Sequence, residues 1–278
     1  MPRVCVLGLD GLEYDLVTRW NLVNLMQKQW GKIPVDPRLY YSDTGQPYTP
    51  MVWATFITGK MPEEHGIKSW WKQYRLAKLS RKPPFSCLKR WKTLRKLAVK
   101  LGVRVMDRQD LRVPSLFDLV KPSMAIHIPG YNFPIWIWDK IADALSKSVE
   151  EYARVTRGIY ELEKRELLKA ITSESEWKLV MMWTGIADFY GHAYLSRNPT
   201  AVEQVYRDLD LFAAEVASKL PEDSILLIVS DHGMTIGDDG EPKHSDHAFW
   251  SLNIETEWKP RSFTDFFGKI LEWTAPTA

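Results

Sequence analysis

Cysteine is nearly absent from this chain: Cys5 and Cys87 are the only two in 278 residues. Two thiols cannot build a disulfide framework or a cysteine-only zinc site, and Cys5 lies in an apolar stretch that reads as a buried strand. Long hydrophobic runs are missing too, and none approaches the roughly 20 residues that a membrane-spanning helix needs. Residues 3–10 already read as a strand, which leaves no room for a cleavable signal, so a cytoplasmic protein is expected. Solenoid-type repeats and low-complexity tracts are absent. What is present is a folded composition, 45% hydrophobic and 26% charged, long enough for one large domain or two small ones.

Acidic residues are also missing, but only locally. Thirteen of the 37 Lys and Arg residues fall between Lys68 and Arg104, where no Asp or Glu occurs; the other 24 share the rest of the chain with all 35 acids. The formal net charge of +2 therefore hides a strongly basic segment on an acidic protein. The segment, with its insertion bounds at about 68–112, contains Pro83-Pro84 and interrupts the order of elements around it, so it reads as a cap-like insertion. Residues 86–103 show an amphipathic helical pattern, with Leu88, Trp91, Leu94 and Leu101 on one face and Lys89, Lys92, Arg95 and Lys96 on the other.

Elsewhere, apolar runs of strand length occur at 4–9, 124–128, 179–183 and 225–229. Helical spacing occurs at 12–30, 137–151, 152–171 and 200–220, and a final short helix starts at Ser262 or Thr264. Strands alternating with helices predict an α/β fold, a three-layer α/β/α sandwich around a mostly parallel central sheet. Ligands in such sheets bind beyond the carboxyl ends of the strands. Three of those ends carry chemistry here: Asp10, then Asp188 with His192, then Asp231-His232.

The chain has six histidines, and four stand close to an aspartate: His192, His232, His244 and His247. Asp188 and His192 share one helical face at i, i+4 and can hold one cation. Mixed carboxylate and imidazole ligands suit zinc, with manganese the alternative. His65 reads as a turn-shaping residue before Gly66, and His127 as a core histidine. In Tyr48-Thr49-Pro50, Pro50 suits the first helical position and Thr49 the N-cap before it, with the helix ending at Gly59. A hydroxyl at that place also faces the positive end of a helix dipole, where a phosphate would bind. Taken alone, the segment favours the cap.

The blocks Leu9-Asp10-Gly11, Thr49-Pro50-x-x-Trp53-x-Thr55-Phe56-x-Thr58-Gly59-x-x-Pro62-x-x-His65-Gly66-Ile67, Asp188-x-x-x-His192, Ser230-Asp231-His232-Gly233-Met234 and a downstream His244 resemble, in order, the alkaline phosphatase superfamily. More narrowly they resemble its type I phosphodiesterase/nucleotide pyrophosphatase branch and prokaryotic phosphohydrolase relatives. The resemblance implies a single metallohydrolase domain over residues 1–278 with an alkaline-phosphatase-like fold. It implies two divalent metals, zinc or manganese, one held by Asp10, Asp231, His232 and the Thr49 oxygen, the other by Asp188, His192 and His244. His247 is the substitute for His244. Thr49 would be the nucleophile, forming a covalent phospho-threonine on a phosphate ester that water then hydrolyses.

At the spacing where nucleotide pyrophosphatases carry a phosphate-binding asparagine, this chain has Trp70, so Lys68, Ser69, Trp70 and Lys72 are the candidates for substrate binding. An indole N–H donates one hydrogen bond but cannot copy an amide. A phosphomonoesterase or phosphomutase of the same superfamily is the alternative within enzymes. From another class, the basic stretch 68–104 admits a protein that contacts an anionic membrane surface or nucleic acid on a hydrolase fold.

Overall fold

The computed structural model describes residues 3–72, 104–173 and 176–276. The amphipathic pattern at 86–103, and with it most of the basic insertion, lies outside the described residues. The strands are β1 (Val4–Leu9), β2 (Gln29–Pro34), β3 (Tyr40–Tyr41), β4 (Gln46–Pro47), β5 (Ser123–Ile126), β6 (Leu179–Thr184), β7 (Ile225–Val229), β8 (Met234–Ile236), β9 (Pro242–His244) and β10 (His247–Leu252). The helices that matter below are α1 (Tyr14–Arg19), α2 (Val23–Met26), α3 (Thr49–Thr58), α4 (Pro62–His65), α5 (Leu116–Leu119), α6 (Ile135–Leu145), α7 (Val149–Thr172), α8 (Ile186–Tyr194), α9 (Pro199–Lys219) and α10 (Phe263–Thr274).

Six strands form the central sheet in the order β2-β10-β7-β1-β6-β5. β7, β1, β6 and β5 run parallel, and β10 runs antiparallel to both β7 and β2. Alternate side chains of one strand enter different cores, as the two-residue period of a strand requires. Val4 and Val6 pack with α3, α6 and α10 on one face, whereas Cys5, Leu7 and Leu9 pack with α1, α2 and α9 on the other. Both faces are thus covered by helices, the three-layer arrangement expected from the alternating elements. No helix among the described residues is long and apolar enough to cross a membrane.

The helical spacing at 12–30 does not give one helix. Asn21 (φ 50°) and Gln27 (φ 56°) take left-handed backbone conformations that end α1 and α2 early, and the chain then enters β2, an edge strand. Residues 29–34 have only Ile33 fully inside, so their sequence carries no apolar alternation to announce a strand. β10 is likewise absent from the sequence reading. Between α6 and α7 the chain breaks at Ser146–Ser148, where the Ser148 side chain caps α7 by accepting from the Glu151 amide, so the helix expected over 137–151 is divided. The final helix starts with Ser262 as its cap and Asp265 completing a capping box.

Every residue of α3 is buried. The helix fits against β1 because Gly8 has no side chain: a Cβ there would lie 2.8 Å from the Trp53 ring. At its other end Gly59 (φ 65°) turns the chain left-handed under Phe267 of α10. The Thr49 end of α3 is held in place from both sides of the layer.

Candidate metal centre

The four parallel strands end side by side, and the chain leaves each of three of them with a metal-ligating side chain. Asp10 follows β1, Asp231 and His232 follow β7, and Asp188 lies in the first turn of α8, just beyond β6. Two of these loops touch at Gly11. Its backbone is left-handed (φ 72°), and a Cβ would sit 2.7 Å from the Asp188 Cα. The Asp188 amide donates to the Asp10 carbonyl at 3.1 Å, so glycine is what lets the first and second strand ends meet.

Asp10, Asp231 and His232 form one buried cluster. Each is oriented by a neighbour that leaves one donor atom over. Trp183 Nε1 donates to Asp10 Oδ2 at 3.1 Å, leaving Oδ1; the Gly11 amide donates to Asp231 Oδ1 at 3.4 Å, leaving Oδ2. His232 Nδ1 faces the Gly233 carbonyl at 3.0 Å, which assigns the proton to that nitrogen and leaves the Nε2 lone pair. His232 Nε2 lies 3.4 Å from Asp10 Oδ1 and 3.4 Å from Asp231 Oδ2.

Asp188, His192 and His244 form a second cluster. Asp188 and His192 face one side of α8, and β9 brings His244 to them. The Asp188 Oδ1 atom is 3.3 Å from His192 Nε2 and 3.4 Å from His244 Nε2, and the two imidazole nitrogens are 3.0 Å apart. His244 Nδ1 donates to the Pro47 carbonyl at 3.0 Å, again freeing Nε2. The rings of His232 and His244 stack at 3.7 Å between centroids, which joins the two clusters.

The donor set fits divalent metals on two counts. Asp10 Oδ1, Asp188 Oδ1, Asp231 Oδ2 and His232 Nε2 are buried without a hydrogen bond of proper geometry, an arrangement costly enough to require another partner. Metal–ligand bonds of about 2.0–2.1 Å place the donors of a tetrahedral site about 3.3 Å apart, and the four imidazole–carboxylate separations, 3.3–3.4 Å, match that edge.

Without metal, the charges conflict. Burial, and then the nearby Asp231 and Asp188, push Asp10 well above the ordinary carboxylate range. Burial and Asp188 push Asp231 up to about 7. Burial alone would raise Asp188 as well, but His192 and His244 outweigh it and hold it well below the usual value. Burial, together with His244, pushes His232 well below the ordinary imidazole range. His244 itself goes up, because Asp188 overcomes the effect of burial. A site that sets three carboxylates so close is built for a cation.

The N-cap expected of Thr49 is not formed. α3 begins at Thr49, and Tyr48 takes the capping position with no side-chain cap bond. The Thr49 hydroxyl lies instead near enough to Asp231 to help lower that carboxyl's pKa, so the side chain faces the first cluster. A cavity of about 140 Å³ opens over both clusters, lined by Asp10, Thr49, Asp188, His192 and His244 below and by Tyr48, Trp70, Trp138, Trp183 and Phe189 as walls.

The other expected residues are placed differently. His247 lies apart from both clusters, with Nε2 on Glu13 Oε1 at 2.8 Å and Nδ1 on Asp246 at 3.2 Å. Of the substrate-binding candidates, only Trp70 lines the cavity, in edge-to-face contact with Trp138 and Phe133. Lys68 pairs with Glu63 and Lys72 with Asp110, and Ser69 Oγ accepts from the Trp71 amide. At the far root of the insertion Arg104 pairs with Asp107 and Asp110. His65 shapes its turn as expected: Nδ1 accepts from the Ile67 amide and Nε2 meets Thr55 Oγ1, with burial lowering its pKa to about 4. His127 pairs with Glu163 in the interior but takes a left-handed backbone (φ 58°), and β5 ends before it, two residues short of the expected run. Sequence reasoning passed over Trp183 and Pro47, which contact Asp10 and His244, and Glu13, which carried a signal as a carboxylate three residues after Asp10.

A sequence profile described as type I phosphodiesterase/nucleotide pyrophosphatase matches residues 4–256. No curated protein matches the chain in sequence. Among solved structures, murine ectonucleotide pyrophosphatase/phosphodiesterase 5 in complex with AMP aligns at TM-score 0.50 and 14% identity over 86% of this chain and 59% of that one. Phosphonoacetate hydrolase from Sinorhizobium meliloti 1021, in complex with phosphonoformate, aligns at TM-score 0.50 and 16% identity over 87% and 59%. Both share the fold, and the chain spans about three fifths of their length. With 253 of its 278 residues inside the profile match, the chain belongs to the type I phosphodiesterase/nucleotide pyrophosphatase family.

Proposed function

We infer that the chain is a metal-dependent phosphoric ester hydrolase that acts on phosphodiesters with Thr49 as nucleophile. The observation that carries this reading is Thr49, beside Asp231, at the floor of a cavity shared by two three-donor clusters. Asp10, Asp231 and His232 would hold one metal and Asp188, His192 and His244 the other, with zinc favoured by the mixed nitrogen and oxygen donors. Bound there, two divalent cations supply the positive charge that a phosphate ester and its leaving oxygen need.

The chain's own residues set the geometry. The Thr49 side chain lies beside Asp231 and lines the cavity. Burial of α3 fixes that side chain against the sheet, so attack on phosphorus needs no reorganisation of the backbone. Attack forms a bond from Thr49 Oγ1 to phosphorus and breaks the bond to one ester oxygen, which leaves as an alcohol with a proton; water then cleaves the Thr49–phosphorus bond, restores the Thr49 hydroxyl and releases the phosphomonoester. The cavity walls favour a diester. Among the described residues they are aromatic and carry no Lys or Arg, which suits an ester with an apolar second arm and a single negative charge. A role for the basic stretch in polyanion contact rests with residues 73–103, because the described cations at its roots are ion-paired.

The test is turnover of bis-(p-nitrophenyl) phosphate by zinc- or manganese-loaded protein. Thr49→Ala is expected to lower kcat by at least about 1,000-fold, the scale on which loss of a covalent nucleophile is felt, with metal content unchanged. Turnover at the wild-type rate by metal-loaded Thr49→Ala protein would remove Thr49 from the role.

A further inference from the structure

Glu13 is almost fully buried, and nothing in the proposed chemistry uses it. Burial would raise its pKa, yet hydrogen bonds from His247 and Ser245 outweigh that and hold it below the usual value, so the group is a buried carboxylate. Its oxygens accept from Ser245 Oγ and from His247 Nε2, and one also accepts from the Asp15 amide at the start of α1. Its own amide accepts no choice of partner either: the N–H donates to Tyr206 Oη at 2.8 Å, while that hydroxyl donates to the Gly11 carbonyl at 3.1 Å. The space it fills is reserved by Gly233, where a Cβ would lie 2.1 Å from Glu13 Oε2.

Three ligand-bearing segments therefore meet at this one carboxylate. Glu13 itself follows Asp10 by three residues; Gly233 follows Asp231 and His232; Ser245 and His247 follow His244. The corner between β9 and β10 is tied to the β7 loop by backbone bonds as well, from the Ser245 amide to the Gly233 carbonyl and from the Gly233 amide to the His247 carbonyl. His244 is the last residue of β9, directly before the corner that these bonds hold.

We propose that Glu13 is a positioning residue for the metal centre: by gripping Ser245 and His247 it sets His244 against Asp188 and His192. This rests on the reading of the two clusters as metal sites. It also gives His247 a role, as the anchor of the segment that delivers His244.

The experiment is zinc titration of the metal-free protein by calorimetry, with His192→Ala identifying the equivalent bound at the second cluster. In Glu13→Ala, that equivalent is expected to weaken 10- to 100-fold, the usual effect of losing a group that orients a metal ligand, while the other stays within about twofold. Ser245→Ala, which keeps the carboxylate and removes one of its bonds, is expected to shift the same equivalent by a smaller factor and serves if Glu13→Ala does not fold. Leu167→Ala, a core truncation in α7 remote from the site, controls for general loss of stability. Equal weakening of both equivalents, or the Leu167→Ala pattern, would overturn the proposal, as would loss of a third equivalent, which would make Glu13 a ligand. Wild-type protein that binds no zinc would instead overturn the metal reading itself.

Discussion

Replacing Asp231 by asparagine should make the metal-free protein more stable at alkaline pH and the metal-loaded protein less so. In the folded chain the Asp231 carboxyl titrates at about 7, because burial and the neighbouring Asp188 oppose its charge; in the unfolded chain it titrates near its ordinary 3.8. A raised folded value means that the native state holds the proton over that interval. Stability is therefore whole below about pH 4, falls as pH rises, and has lost the full amount above pH 7. Three units at about 1.4 kcal/mol each give a penalty on the order of 4 kcal/mol at pH 8. Asparagine removes it, less about 1 kcal/mol for a weakened hydrogen bond from the Gly11 amide. Titrations of His65 and His232 are common to both proteins and largely cancel in the difference. Urea denaturation in EDTA should show Asp231→Asn about 3 kcal/mol more stable than wild type at pH 8, and equal or slightly less stable at pH 4. With zinc at about 1,000 times the dissociation constant, wild type should gain about 4 kcal/mol for each site and overtake the variant. A metal-free variant no more stable than wild type at pH 8 would refute the account of Asp231 as a charge that only a cation makes tolerable.

Gly11→Ala is expected to destabilise the protein by at least about 1–2 kcal/mol, the cost of a left-handed backbone for a residue with a Cβ, and to displace Asp188, which that Cβ would strike; urea midpoints and zinc stoichiometry read both effects. The Cys5 thiol is buried and pushed up to about 12, so in a Cys87→Ser background it should stay unreactive toward a disulfide reagent at pH 8 until the chain is unfolded. Reaction of the native protein within minutes would contradict the packing of β1 in the second core.

The α/β class and the central strands were legible because β1, β6 and β7 are short, wholly apolar runs buried on both faces. The candidate metal ligands were legible because Asp10, Asp188 and Asp231-His232 each follow such a run, and family-like blocks surround them. Edge and antiparallel strands were not, since β2 shows water most of its residues and β10 begins at His247, within a segment that reads as metal-ligating. Order and spacing favour His244 over His247, although both lie within one four-residue segment; in the fold His244 faces Asp188 and His192, and His247 faces Glu13.

Composition and order, then, determined the chemistry on offer: few thiols, clustered Asp and His, one threonine at the start of a helix. Tertiary structure decided what that chemistry meets. It turned the Thr49 hydroxyl from a helix cap to Asp231, closed the cavity with Trp70 and Trp138 where an amide was sought, and paired Lys68 and Lys72 with acids away from it. The physical reason is the same in each case. A side chain's type is written in the sequence, but its hydrogen-bond partner is chosen among residues as far as 234 positions away, brought near only when the parallel strands align their carboxyl ends.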